Sequence, residues 1–245
     1  MNTAQVHTIS FLYKIALTKD VYTFYFKKPQ GFTFLSGQYN RWTLPITAKD
    51  KKGSSRFFTI SSSPLDPQTI SVTTKIGDSD FKKALLKLQK DDEVKIFGPM
   101  GAFIFNENAQ KPQIFLSGGI GITPFYSFLQ YTAESNQNIP LFLFASVSTP
   151  EEMIYYDELK KIEAEHSSIH IIYVITKPES SQAAWSGETG RVTKALLKKY
   201  LADIREYTYY IVGPPPMIER TVRLLKNLHI SDKQIKIEQF NGILK

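Results

Sequence analysis

Leu116-Ser117-Gly118-Gly119-Ile120-Gly121-Ile122-Thr123-Pro124 sets three glycines between an apolar run that reads as a strand and a segment that reads as a helix. Glycines let a ligand approach the backbone closely, and the first turn of a helix offers unpaired N–H groups and a positive dipole end to a phosphate. Thr123 suits the helix cap and Pro124 the first helical position. Taken alone, the segment also reads as a tight strand-to-helix turn, because the third glycine of the dinucleotide-binding fingerprint is absent.

Working outward, the chain after Pro112 alternates apolar strands with helical periods. Strands are expected at Ile114 to Leu116, Leu141 to Val147, Ile169 to Ile175, Tyr209 to Val212 and Gln234 to Glu238. Helices are expected from about Pro124, from about Pro150, near Val192 to Tyr200, and from Pro214 to Leu228. Such alternation with short connections reads as a doubly wound parallel α/β sheet. Val212-Gly213-Pro214-Pro215-Pro216-Met217 also follows a strand and opens a helix, so both loops are expected at the C-terminal edge of the sheet, where ligands bind in open α/β folds.

Toward the N-terminus the texture is different. Short β-rich runs at Ile9 to Leu17, Val21 to Phe26, Tyr39 to Leu44, Arg56 to Ser61 and Ile70 to Lys75, separated by turn signals, predict an antiparallel sheet or barrel. The two textures meet near Asn106 to Pro112, the expected boundary between a domain of residues 1–110 and one of residues 111–245. The Lys-rich loop Lys49 to Arg56 reads as solvated. Phe81, Ala84, Leu85 and Leu88 form a helical stripe expected to pack on the barrel.

Composition narrows the chemistry. The 245 residues include no cysteine, which excludes disulfides, thiolate metal sites, iron–sulfur ligation and cysteine nucleophiles within this chain, so redox chemistry needs an imported cofactor. Thirty basic and 23 acidic residues give a net charge of +7. Residues 1–110 hold 15 basic and 9 acidic side chains, 15 − 9 = +6, so the surplus belongs to the β-rich half. The four histidines are scattered without metal-ligand spacing, and neither a G-x-S-x-G nor a P-loop occurs. With no long apolar run or signal-like N-terminus, the expectation is a cytoplasmic protein without a transmembrane segment.

Arg56-Phe57-Phe58-Thr59-Ile60-Ser61-Ser62 puts a guanidinium beside an aromatic plane and hydroxyls, a set that could hold a phosphate-bearing heterocycle but is also an ordinary amphipathic strand. Read in order, R-F-F-T-I-S-S, G-P-M-G-A-F (Gly98 to Phe103), G-G-I-G-I-T-P, V-G-P-P-P-M and E-Q-F-N-G (Glu238 to Gly242) resemble the ferredoxin–NADP reductase family over nearly the whole chain. Trp185 to Gly190, W-S-G-E-T-G, resembles a loop of its stand-alone members.

The resemblance implies a six-stranded antiparallel Greek-key flavin-binding barrel followed by a doubly wound nicotinamide-binding domain. It implies FAD in preference to FMN, NADH or NADPH as hydride donor, and no iron–sulfur domain. On this basis Arg56 is the flavin-phosphate ligand, Phe58 the ring on the isoalloxazine and Thr59 the hydroxyl near flavin N5. Ser61, Thr74 and Lys75, with Asp80, Phe81 and Lys82 at the pyrophosphate, complete the flavin set. Gly118, Gly119, Gly121, Thr123 and Pro124 would line the nicotinamide pyrophosphate and the seam with the flavin. Gly213, Pro214, Pro215 and Met217 would bound the nicotinamide pocket, Glu238 would be its carboxylate, and Phe240 is the aromatic nearest the C-terminus.

Departures from the family include Phe58 for Tyr, Val212 for Cys, and a non-aromatic end at Gly242 to Lys245. Ser146-Val147-Ser148-Thr149 lacks the Arg that relatives use for a 2′-phosphate, which favours NADH. The implied function is transfer of a hydride from NAD(P)H to FAD and of electrons onward to an acidic ferredoxin- or flavodoxin-type protein or a small molecule. The alternatives are a flavin-binding subunit of a larger complex and a non-enzymatic nucleic-acid- or nucleotide-binding module. The first reading needs no nucleic-acid partner.

Overall fold

A computed structural model describes residues 3–51, 53–106 and 111–239. The chain divides into two compact units, Met1–Phe105 with Tyr126–Tyr131, and Asn106–Phe125 with Thr132–Lys245.

The first unit is built on β1 (Gln5–Ala16), β2 (Val21–Lys27), β3 (Tyr39–Thr43), β4 (Ser55–Thr59), β5 (Thr69–Lys75) and β6 (Glu93–Met100), with α1 (Asp80–Lys87) between β5 and β6. All neighbours in the order β4-β3-β6-β1-β2-β5 run antiparallel. Just beyond β4, the Ser61 N–H donates to the Ser71 carbonyl at 2.9 Å, so the two edges of the sheet meet and the barrel nearly closes. Alternation along β2 turns Phe24 and Phe26 into a core with Ile9, Trp42, Ile70, Val72 and Ile96. Phe81 and Leu85 of α1 join that core, as their spacing predicts, with Ser79 capping the helix through the Lys82 N–H. A chain of buried hydroxyls, Thr23–Thr73–Ser61–Ser71, is spaced at 2.8–3.0 Å and satisfies its own polar atoms.

The second unit contains β7 (Gln113–Gly118), β8 (Leu141–Val147), β9 (Ile169–Ile175), β10 (Glu188–Thr189), β11 (Thr208–Val212) and β12 (Ile235–Glu238). They form one parallel sheet in the order β10-β9-β8-β7-β11-β12. Its helices are α3 (Tyr156–Glu165), α4 (Lys194–Tyr200) and α5 (Pro215–Asn227), with the two ends of α2 (Thr123–Glu134), whose middle, Tyr126–Tyr131, groups with the first unit. Central strands are buried on both faces, hence the mostly apolar runs of β7 and β9, broken only by Gln113, Ser117 and His170. The order reverses direction between β7 and β11, the topological switch point at which open α/β sheets bind ligands.

Three local expectations are corrected. The helix expected from Pro150 is only a 3₁₀ turn, Pro150–Glu152; Tyr155, at φ 60°, breaks the helical path, and α3 starts at Tyr156. Thr123 is not a cap: it has helical dihedrals and its hydroxyl donates to the Ile120 carbonyl, because a 3₁₀ turn over Gly119–Ile122 has already begun the helix. The loop after β3 is not merely solvated, since Lys49 and Asp50 donate their backbone N–H groups to the Asp80 carboxylate at 2.7 and 3.2 Å. No helix among the described residues is long and apolar enough to cross a membrane.

Candidate functional site

In the parallel unit, the ends of β7, β11 and β12 bring the two sequence loops into contact. A Cβ built on Gly118 would lie 2.4 Å from Met217 Sδ and 2.9 Å from Pro214 Cδ, and one on Gly213 would lie 2.8 Å from the same sulfur. A Cβ on Gly121 would sit 2.6 Å from the Val212 carbonyl oxygen. Glycine is therefore required where the loops cross, and Gly119, at φ +53° with open space around it, provides the left-handed residue that starts the 3₁₀ turn. Thr123 and Pro124 are buried in the first turn of α2.

The two loops differ chemically. Pro214, Pro215 and Pro216 carry no N–H, so the start of α5 presents an apolar wall and few donors to an anion, whereas the glycine turn retains all its N–H groups. One row of the sheet aligns Ser117, Val212 and Glu238 at the C-terminal ends of β7, β11 and β12. Ser117 Oγ and Glu238 Oε2 are both buried without a hydrogen-bond partner. Burial pushes the Glu238 carboxyl up to about 7. Orphaned buried polar atoms are unfavourable by about 1–3 kcal/mol each, and these two share one row at the C-terminal edge of the sheet.

In the barrel unit, Arg56, Phe58, Asp80 and Phe81 come together. The Arg56 guanidinium lies 5.3 Å over the Phe81 ring, whose centroid is 5.8 Å from that of half-buried Phe58. Arg56 Nη1 donates to the carbonyls of Gly53 and Ser55, both at 2.8 Å, and Nη2 faces both oxygens of Asp50 at 3.3 Å. Lys82 Nζ donates to the Lys75 carbonyl at 2.7 Å, tying α1 to the end of β5, while Lys75 pairs with Asp20 at 2.9 Å. Thr59 and Thr74 are buried at the ends of β4 and β5. Ser61 is fully buried, its hydroxyl engaged by Ser71 and Thr73. Phe240 lies outside the described residues. No sequence signal marks Asp50, hidden in a run of lysines, or Ser117, which stands out only through its place in the β7–β11–β12 row.

Residues 115–223 match the oxidoreductase NAD-binding domain model. The glycine betaine monooxygenase reductase subunit of Chromohalobacter salexigens is 30% identical over 225 residues, covering 90% of this chain and 60% of that protein. The reductase component of propane 2-monooxygenase from Rhodococcus jostii is 26% identical over 234 residues, covering 92% of this chain and 61% of that protein. The chain thus spans about 60% of the length of these curated relatives. Among solved structures, the Neisseria gonorrhoeae ferredoxin NADP+ reductase with bound FAD and NADP superposes with a TM-score of 0.78 at 24% identity, covering 97% of this chain and 99% of that one. The FAD/NAD-binding domain of Vibrio cholerae nitric oxide dioxygenase gives 0.82 at 19% identity, covering 95% and 98%. Together with the antiparallel barrel and the parallel sheet in their observed strand orders, these likenesses show that the chain has the ferredoxin–NADP reductase-like fold.

Proposed function

We propose that this chain is an NAD(P)H-dependent FAD oxidoreductase that passes electrons to a separate acceptor. The observation that carries the reading is the crossing of the glycine turn with the Gly213-Pro214-Pro215-Pro216 loop, beside the unpartnered Ser117 and Glu238. The N–H groups of the glycine turn suit a nicotinamide pyrophosphate, and the proline wall with Met217 suits the flat face of an uncharged ring. Ser117 Oγ and Glu238 Oε2 are positioned to meet polar groups at its rim. The barrel residues fit a flavin: Arg56 and the first N–H groups of α1 suit its phosphates, and Phe58 its ring system. When bound, the flavin supplies the acceptor for the hydride, so the chain's task is to hold, orient and shield the reactants.

NADH is the favoured donor. Glu151, in the turn just past β8, accepts the Ser181 hydroxyl, and this and further hydrogen bonds hold its carboxyl below the usual range, so it is anionic on the edge where a 2′-phosphate would need a cation. The chain's own acceptor is proposed to be an acidic protein of ferredoxin or flavodoxin type. Incubation with FAD followed by desalting is expected to yield a yellow protein whose flavin bands bleach faster with NADH than with NADPH under anaerobic conditions. A colourless protein, or flavin that neither nucleotide reduces, would refute the reading.

A further inference from the structure

The loop between β3 and β4 delivers a carboxylate to the donors that a cofactor phosphate would use. Asp50 Oδ1 and Oδ2 each lie 3.3 Å from Arg56 Nη2, and Oδ2 also accepts the backbone N–H of Asp80, the first residue of α1, at 2.9 Å. Asp80 returns the contact by accepting the N–H groups of Lys49 and Asp50. The pair is largely withdrawn from water, with side-chain exposures of 14% for Arg56 and 27% for Asp50. An oxyanion received jointly by a guanidinium and a helix N-terminal N–H reproduces the recognition of a phosphate.

We propose that Asp50 is an internal stand-in for the cofactor phosphate: it engages Arg56 and the start of α1 through the donors that the diphosphate of FAD would use, and has to leave them when that diphosphate binds. Asp50 therefore sets the affinity for phosphate-bearing flavin. One carboxylate and a diphosphate cannot accept from the same Nη2 and N–H groups, and their like charges at this separation repel. The inference rests on Arg56 as the flavin-phosphate ligand. If Asp50 instead served only to orient Arg56 for the cofactor, its removal would weaken binding.

The test titrates apoprotein with FAD, following the quenching of flavin fluorescence, for the wild type, Asp50→Asn, Arg56→Ala and, as a control for net charge, Asp91→Asn on the exposed turn before β6. Asp50→Asn is expected to tighten FAD about tenfold or more, the worth of one charge-assisted contact, with Asp91→Asn within about twofold of wild type. Unchanged or weaker binding by Asp50→Asn, or an equal gain in Asp91→Asn, overturns the proposal. Hydrogen exchange on the wild type needs no variant: FAD is expected to speed exchange at Lys49 and Asp50, and unchanged or slower exchange there also overturns it. Arg56→Ala separates the two levels, because FAD binding as tight as wild type would reject the phosphate-ligand reading itself.

Discussion

The Glu238 carboxyl ionises only near pH 7 because its Oε2 is withdrawn from water with no donor facing it. With the folded-state value raised from 4.5 to about 7, its contribution to stability is fully present below pH 4.5 and is lost as the pH rises through 7. The span corresponds to a contribution on the order of 3 kcal/mol. Glu238→Gln is expected to flatten the fall in melting temperature between pH 5 and 8, as read by thermal unfolding across that range; an unaltered pH profile would contradict the buried state. Glu238 is singled out in the sequence by the E-Q-F-N-G resemblance, but nothing there shows that its carboxyl is buried. Its isolation depends on where β12 lies beside β11, which no local pattern encodes. Asp50 is still less legible, because Lys49-Asp50-Lys51-Lys52 has the composition of a solvated loop and its meaning arises from its contacts with Arg56, six residues on, and with Asp80, thirty residues on.

At the level of elements, the glycine turn separates two reasons for needing glycine. Gly121→Ala would set a Cβ 2.6 Å from the Val212 carbonyl oxygen, part of a central strand that cannot yield, and is expected to be destabilising by about 1–3 kcal/mol. Gly119→Ala meets open space and bears only the strain of φ +53°, about 1–2 kcal/mol, which Gly119→Asn should largely relieve. Chemical denaturation of the three variants checks this, and rescue of Gly119 by Asn without any comparable rescue at Gly121 is the expected pattern. The strands are the most readable elements: Leu141–Val147 and Ile169–Ile175 coincide with the apolar runs because burial on both faces leaves each only a single polar interruption, Ser146 and the exposed His170. β6 went unread as a strand, since Glu93-Val94-Lys95-Ile96 alternates for only a few residues before Gly98-Pro99. The start of α3 was misplaced because nothing in Met153-Ile154-Tyr155 announces a left-handed residue.

On the scale of the whole molecule, the chain forms two units with separate cores, Tyr126–Tyr131 grouping with the first although they lie in the helical half of the sequence, and the charge is shared unequally along the chain. Residues 1–110 carry +6 of the net +7. Electron transfer to an acidic protein acceptor is therefore expected to slow severalfold between ~0.05 and ~0.5 M salt, while reduction of an uncharged dye stays nearly constant. A salt-independent rate with the protein acceptor would remove charge complementarity from the account. With no cysteine in these 245 residues, redox chemistry needs a bound cofactor, and the proposed site sets glycines, prolines, aromatics and an arginine beside Thr59, Ser117 and Glu238. The most direct test of that chemistry is the anaerobic bleaching of FAD-loaded protein by NADH stereospecifically deuterated at C4, followed by stopped flow. Deuterium on one face is expected to slow bleaching severalfold and on the other to leave it nearly unchanged, whereas equal rates with both labels, or no bleaching at all, would contradict direct hydride transfer between the two bound cofactors.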